Sequence, residues 1–376
     1  MNPGRLHFFW RDRGVHRRFR TAVSLHSHTS TSRENLAFIP RYARAVPLLS
    51  MVLGWYERGH RRKAGSDVDY SRAWWTPPAG PAEAYHIERA QIEDLDLNPV
   101  VSLTDHDDIE SGFVLHLLGE GREAPVSVEW TVPYGPSFFH LGIHNLPPHQ
   151  GRGILAGLRA YTGCPSPGRL AELLSALNLN PEILVVFNHP LWDEAGIGFG
   201  AHLELFRAFL ERFGTRIHAL ELNGLRPWAE NRWIAKLAAA SGHPVVSGGD
   251  RHGCEPNGNL NLTNAGTIAE FAAEIRQDRI SDVLFLPQYR EPLKLRYLES
   301  ARDILREYPE HPGRARWVDR FFYRSEDESV LPLSVLFSGN GLGLVRQFLG
   351  LSGLLRSRRV RSAIRSVLAD GQEVAG

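Results

Sequence analysis

Cysteine is almost absent. The chain of 376 residues has two, Cys164 and Cys254, far apart, which excludes a disulfide scaffold and a thiolate zinc site. Lysine is nearly missing as well: Lys63, Lys236 and Lys294 are the only three among 43 basic residues, a bias that reads as gene base composition rather than function. Neither sign of charge is in excess, with 43 Lys+Arg against 42 Asp+Glu, so no global field draws the chain to nucleic acid or membrane. No uncharged run reaches the roughly 18 residues of a membrane span. The longest weakly charged stretch, 330–345, is broken by Ser, Gly, Pro and Asn. The Arg- and aromatic-rich first twenty residues lack the apolar segment of a secretory signal, and a cytoplasmic location is the default expectation. Apolar content of 43% and charged content of 23% exclude wholesale disorder. What the chain does have is histidine, 17 of them. Any transition metal held here is held by imidazole and carboxylate.

Short apolar, β-branched runs recur at 21–25, 100–103, 126–128, 183–187, 217–222, 244–247 and 283–286. Each is too short for a lone helix and predicts a buried strand. Helical spacing of apolar residues falls between them, at 81–94, 166–177, 202–213, 227–241 and 267–277. Alternating strand and helix predict an α/β architecture with a largely parallel sheet or barrel. The organisation expected is an N-terminal arm over 1–19, a catalytic body over 20–290 with an insertion at about 35–80 after the first strand, and a helical extension over 291–376.

Chemistry concentrates where the predicted strands end. The first ends in Ser24-Leu25-His26-Ser27-His28, and residues two apart on an extended chain face the same way. The second ends in Thr104-Asp105-His106-Asp107-Asp108, the third in Ser127-Val128-Glu129, with His140 following in Phe139-His140-Leu141-Gly142. Later ends carry Asn188-His189-Pro190 and Gly248-Gly249-Asp250-Arg251-His252. Six histidines and two acids on one rim of a barrel, without cysteine, suit Zn, Mn or Fe as divalent ions. Eight donors exceed the need of one ion and point to two or three, with Glu129 able to bridge.

This ordered set resembles the PHP superfamily, named for polymerase and histidinol phosphatase. The resemblance rests on His26-x-His28, Thr104-Asp105-His106-Asp107, Glu129, His140, His189-Pro190, Glu221-Leu222-Asn223-Gly224 and Gly248–His252, and covers roughly residues 20 to 290. It implies a distorted (β/α)7 barrel and a di- or trinuclear metal centre. One metal would take His26, His28, Glu129 and Asp250; a second would share Glu129 and add His140 and His189; a third would use His106 and His252. The family usually carries Asp or His five or six residues after the second opening His. Here Arg33 and Glu34 stand there. Arg33 cannot ligate, and Glu34 serves only if its loop shifts. Gly249 stands where the family usually has Ser.

The function implied is a metal-dependent phosphoesterase working through metal-activated hydroxide, with a small phosphorylated molecule or a nucleotide or oligonucleotide end as substrate. Asp107 and His252 are the candidate proton donors and Arg226 the candidate phosphate binder. The alternatives are a metal hydrolase of a non-phosphate bond and a non-catalytic metal-binding module. No stable protein partner is implied. The segment 329–369 has no acid and six Arg, namely Arg346, Arg356, Arg358, Arg359, Arg361 and Arg365. It reads as a helix docked on the body with a solvated basic face, with membrane or RNA contact the other reading.

Overall fold

A computed structural model describes residues 4–37, 40, 47–65, 67–119, 121–325, 327–336 and 343–353. Of the six arginines in the basic segment, all but Arg346 lie outside the described residues. Fourteen strands are described: β1 Arg5–Phe8, β2 Thr21–Leu25, β3 Glu34–Asn35, β4 Ala73–Trp75, β5 Asn98–Ser102, β6 Val126–Tyr134, β7 Ser137–Leu146, β8 Leu184–Asn188, β9 Ala219–Asn223, β10 Val245–Gly248, β11 Asn259–Thr263, β12 Asp282–Phe285, β13 Phe321–Arg324 and β14 Val330–Pro332. They form two five-stranded sheets, β1-β12-β11-β2-β5 and β10-β9-β8-β7-β6, and a four-stranded one, β14-β13-β4-β3. The architecture is mixed α/β. Among the described residues the strands form separate sheets rather than one closed ring. The two large sheets touch through isolated parallel bridges, Ser27 with Arg251 and His106 with Glu129.

The expected parallel character holds for only part of the pairing. β1–β12, β2–β5, β8–β9 and β9–β10 are parallel, but β7 and β11 run antiparallel to both of their neighbours. The reason for β7 is a tight hairpin after β6, turning at Gly135 with φ 61°, a left-handed value that favours glycine. β11 reads Asn-Leu-Asn-Leu-Thr, a polar alternation that looks like a surface strand, yet all five residues are buried. Its amides satisfy neighbouring backbone: Asn259 Nδ2 donates to Leu222 O, and Asn261 Oδ1 accepts from Ser247 N–H. Buried amides are tolerated when paired in this way.

One apolar core lies between β6–β8 and the helices Pro148–Gly163, Pro167–Leu179 and Phe199–Phe213. Phe139, Phe187, Phe206 and Phe209 meet edge-to-face there at 5.0–5.5 Å between centroids. Each such pair contributes roughly 0.5–1.5 kcal/mol beyond area burial. A second core joins the two large sheets, with Val23 and Leu25 of β2 against Leu184, Val186, Ala219 and Val246. These packed strands fix the level at which their C-terminal ends stop.

The segments outside the body are not as expected from sequence. Residues 5–8 of the N-terminal arm are an edge strand on β12, in register Arg5 with Asp282. The C-terminal extension contains helix Leu293–Leu305 but also β13 and β14, and β13 pairs with β4 of the insertion. The insertion and the extension therefore share one small sheet. No helix among the described residues is long and apolar enough to cross a membrane.

Candidate metal centre

The C-terminal ends of β2, β5, β8 and β10 converge on Glu129 and His140, which lie within β6 and β7 rather than at a strand end as expected for Glu129, because β6 runs on to Tyr134. The loops are stitched together by backbone hydrogen bonds. Asp250 N–H donates to His26 O at 2.7 Å and His28 N–H to Arg251 O at 2.9 Å. Asp107 N–H donates to Glu129 O at 2.8 Å, and Glu129 N–H to Asp105 O at 3.1 Å. The chain then turns sharply at four of the candidate residues: His26, Asp107, His189 and Asp250 have φ of 65°, 49°, 24° and 55°. Non-glycine residues in this region cost of order 1–3 kcal/mol each and cluster where function over-determines the backbone.

Glu129 is the hub. It is fully buried, and its Oε1 lies 3.0 Å from His26 Nε2, 3.1 Å from His189 Nε2 and 3.8 Å from His140 Nδ1. Its Oε2 lies 3.3 Å from both His28 Nε2 and His106 Nδ1. Asn188 Nδ2 donates to Oε1 at 2.9 Å. Asp250 Oδ1 stands 3.6 Å from His26 Nε2 and 3.5 Å from His28 Nε2. Four donor groups have ligand atoms within 4.8 Å of one another: His28, Glu34, His106 and His252; His26, His189 and Asp250; His26, His28 and Glu129; His106, Glu129 and His140. All nine sequence-predicted ligands are thus brought together. His189 falls with His26 and Asp250 as well as beside Glu129, so the grouping differs in part from the expected one.

Glu34 reaches the cluster directly. β3 places its carboxyl with Oε2 3.0 Å from His252 Nε2 and 3.3 Å from His106 Nε2, while Oε1 accepts from Ser32 Oγ at 2.5 Å. Its neighbour Arg33 turns outward, over the ring of Trp74 at 5.5 Å.

Three buried atoms of this cluster make no hydrogen bond: His26 Nε2, His28 Nε2 and Glu129 Oε2. Buried polar atoms are rarely left so. All three belong to one donor group, and imidazole with carboxylate is the chemistry of a divalent Zn, Mn or Fe site. The residues fit the ions that the sequence implies.

The electrostatics agree. Burial alone would raise the carboxyls of Glu34, Glu129 and Asp250, yet the surrounding imidazoles hold all three well below their ordinary values. Burial opposes charge on His26, His106 and His252, but their carboxylate neighbours hold them above the usual value. His28 is pushed down to about 4, by burial first and then by His252, stacked at 4.2 Å.

A shell behind the ligands was only partly visible in sequence. Glu221 Oε1 accepts from His26 Nδ1 at 2.6 Å, and its Oε2 accepts from His189 N–H at 2.5 Å. This leaves Nε2 of His26 as the atom that faces the cluster. Asn223 Nδ2 donates to Asp250 Oδ2 at 3.2 Å. A Cβ on Gly248 would stand 1.5 Å from Glu221 Oε1, and one on Gly249 would stand 1.7 Å from Asn257 Cγ. Asn257 thus fills the space that a serine at 249 would need. Arg251 points away from the cluster and pairs with buried Glu88 at 2.9 Å. Asp105 ties down Thr29 and Thr31, and Asp108 accepts from Glu110 N–H at the start of helix Glu110–Leu118. His144 is buried with Nδ1 against Ser102 Oγ and stands outside the four donor groups.

The cluster floors a cavity of about 940 Å³. Trp75, Phe138, Trp192 and Tyr297 line its walls, together with Arg226, Asp107 and Glu194. Arg226 is buried, with its guanidinium 3.5 Å from the centre of the Trp192 ring and its Nε without a partner. Asp107 Oδ1 accepts from Thr131 N–H at 2.9 Å. His252 also borders the cavity, but both of its nitrogens are engaged, with Asp250 O and Glu34 Oε2.

No family profile and no curated protein matches the chain. Among solved structures, an amidohydrolase from Chromobacterium violaceum, with bound sulfate and no metal, is 16% identical, with 47% of this chain and 84% of that chain covered and a TM-score of 0.33. A candidate metal-dependent phosphoesterase from Bifidobacterium adolescentis is 15% identical, covers 54% of this chain and 92% of its own, and has a TM-score of 0.34. At these scores the likeness extends to part of the chain trace and carries neither activity nor substrate.

Proposed function

We propose that the chain is a metal-dependent phosphoesterase of the PHP type. In this reading β2 and β5–β10 form a distorted seven-stranded barrel, supported by the two bridges that join the large sheets at their ends. The body over 20–290 carries the chemistry, and the insertion and extension form its cover.

The observation that carries the proposal is the crowding of five imidazoles within 3.0–3.8 Å of the two Glu129 oxygens, at the floor of a cavity. One carboxylate so surrounded would be shared between the residues that hold the ions. His26, His28, Glu129, His140, His189 and Asp250 would hold two, and Glu34, His106 and His252 a third. Such ions supply an activated water and offset charge on the phosphoryl oxygens. The chain's own contribution is to orient the ester. Arg226, set over the Trp192 ring, offers N–H donors to a phosphoryl oxygen. Trp75, Phe138 and Tyr297 exclude water around the leaving group. A substrate that is a small phosphorylated molecule or a nucleotide fits the 300–1,000 Å³ scale of such cavities.

The test is metal quantification followed by a phosphoester panel with Mn²⁺, Zn²⁺ and Fe²⁺. Two or three ions per chain and release of phosphate are expected, with both lost in His26→Ala and Asp250→Ala. Ion-free protein that cannot be loaded overturns the metal centre. Loaded protein that cleaves amides or lactones but no phosphoester overturns the substrate class.

A further inference from the structure

Of the carboxyls on the cavity wall, Glu34 and Asp250 belong to the donor groups, and Asp108 accepts from Glu110 N–H and Arg159 Nη2. Asp107 is held by a backbone N–H. Glu194 stands apart from these: it lines the cavity, and its carboxyl makes no hydrogen bond or ion pair among the described residues. It also borders a small recess with His140, Asn188, His189 and Trp192, and the Trp192 ring is the one that Arg226 covers.

Its position is built rather than incidental. The loop after β8 folds back on itself, with Trp192 N–H donating to His189 O at 2.9 Å and Glu194 N–H to Trp192 O at 3.2 Å. The next side chain to anchor the loop is Asp193. Its Oδ1 accepts from Gly196 N–H at 2.8 Å and Ile197 N–H at 3.1 Å, and its Oδ2 accepts from Gly198 N–H at 2.8 Å. One acid of the pair is consumed in holding the loop, and the other is presented to the cavity.

A phosphate ester whose leaving group is an alkoxide needs a proton delivered to that oxygen as the P–O bond breaks. Ligating histidines cannot give one, and His252 has both nitrogens engaged. We propose that Glu194 is the general acid of this site, and that the substrate class is therefore esters of alcohols rather than only of acidic phenols. This rests on the phosphoesterase reading above. In the step, a water oxygen forms the new bond to phosphorus while the bond from phosphorus to the leaving oxygen breaks. The electron pair of the broken bond stays on the leaving oxygen and takes the Glu194 proton. The proton released by the attacking water restores Glu194 for the next turnover. Burial pushes the Glu194 carboxyl up, while His106 and His189 pull it down; burial pushes Asp107 up as well.

The experiment compares wild type and Glu194→Gln on two esters, p-nitrophenyl phosphate, whose phenolate leaves unprotonated, and glycerol phosphate, whose alkoxide does not. Metal content is measured on both proteins. The expected result is unchanged metal content, a fall of ~100- to 10,000-fold in kcat on glycerol phosphate, and little change on p-nitrophenyl phosphate. Equal losses on both esters, or no loss on either, overturn the acid role while leaving the phosphoesterase reading intact. Loss of bound metal in the variant also overturns it, since Glu194 would then be a ligand. A loaded wild type that cleaves neither ester, nor any other phosphoester, overturns the underlying reading instead.

Discussion

Replacing Glu221 by Gln changes the chemistry of one side-chain atom and reverses the proton on a histidine. In the native chain both carboxylate oxygens are acceptors, Oε1 for His26 Nδ1 at 2.6 Å and Oε2 for His189 N–H at 2.5 Å. Glutamine keeps one acceptor. The backbone N–H of His189 can only donate, so the remaining oxygen stays with it and the new NH₂ faces His26. His26 must then accept at Nδ1 and carry its proton on Nε2. That is the atom 3.0 Å from Glu129 Oε1 and 3.6 Å from Asp250 Oδ1, and a protonated nitrogen has no lone pair for an ion. Loss of an orienting partner of this kind costs about 10- to 100-fold in metal affinity, which is about 1.4–2.7 kcal/mol. The fold survives, because the buried groups remain paired and the volume is unchanged. Calorimetric Zn²⁺ titration against a competing chelator measures the affinity, with circular dichroism and thermal unfolding of the metal-free protein as controls. A variant that unfolds like wild type and binds Zn²⁺ within about twofold refutes the tautomer reasoning. Glu221→Ala separates the two effects, since it strands two buried donors and lowers stability by about 1–3 kcal/mol for each.

Other outcomes follow from the same geometry. Gly249→Ser drives a side chain into Asn257. It lowers stability by ~1–3 kcal/mol in urea unfolding; an unchanged midpoint contradicts the packing. Arg226→Lys keeps the charge but loses the planar fork set over Trp192, so inhibition by inorganic phosphate weakens by roughly tenfold or more; an equal inhibition constant contradicts this role. Burial pushes His144 and His218 down to about 3. The unfolded chain, with its histidines near 6.5, therefore takes up protons first on acidification. The stability that each contributes is complete above about pH 6.5 and is lost as the pH falls toward 3, at ~1.4 kcal/mol per pH unit for each histidine. Denaturant midpoints between pH 7 and pH 4 should fall less steeply in His144→Asn and His218→Asn than in wild type, and identical slopes speak against it.

Much of the candidate site was legible because strand periodicity fixes it. His26 and His28 flank one residue at the end of a run whose predicted limits, 21–25, are those of β2. Five of the predicted helices likewise appear within a few residues of their expected limits, although the one at 267–277 passes into a wider π turn after Ala273. Glu34 was ambiguous for a physical reason. Spacing along the chain puts it in a loop, and only its pairing with Trp75, and that of Trp75 with Phe321, turns its carboxyl inward. β11 was missed because buried amides that bond neighbouring backbone have the composition of a turn. β7 was missed as a strand, although His140 within it was singled out, because its hairpin partner lies on the preceding strand rather than across a helix. Glu221 was seen within a motif, but its partner is the far side of an imidazole from a strand nearly two hundred positions earlier, a contact that no local pattern announces.

The small sheet has a consequence for the order in which the protein can be completed. β3 holds Glu34 through two residues only, β4 is its one neighbour, and β4 is in turn flanked by β13. During synthesis the other eight donor residues can all be in place once β11 and β12, which complete the sheet around β2, have emerged. The support under Glu34 cannot, because Phe321 has not yet been made. A ribosome therefore releases the last brace of Glu34 only after the rest of the donor set, as domains fold in the order in which their parts appear. Nascent or clipped chains that stop before β13 are left with an untethered Glu34, so the group of His28, Glu34, His106 and His252 is the last of the donor groups to be completed.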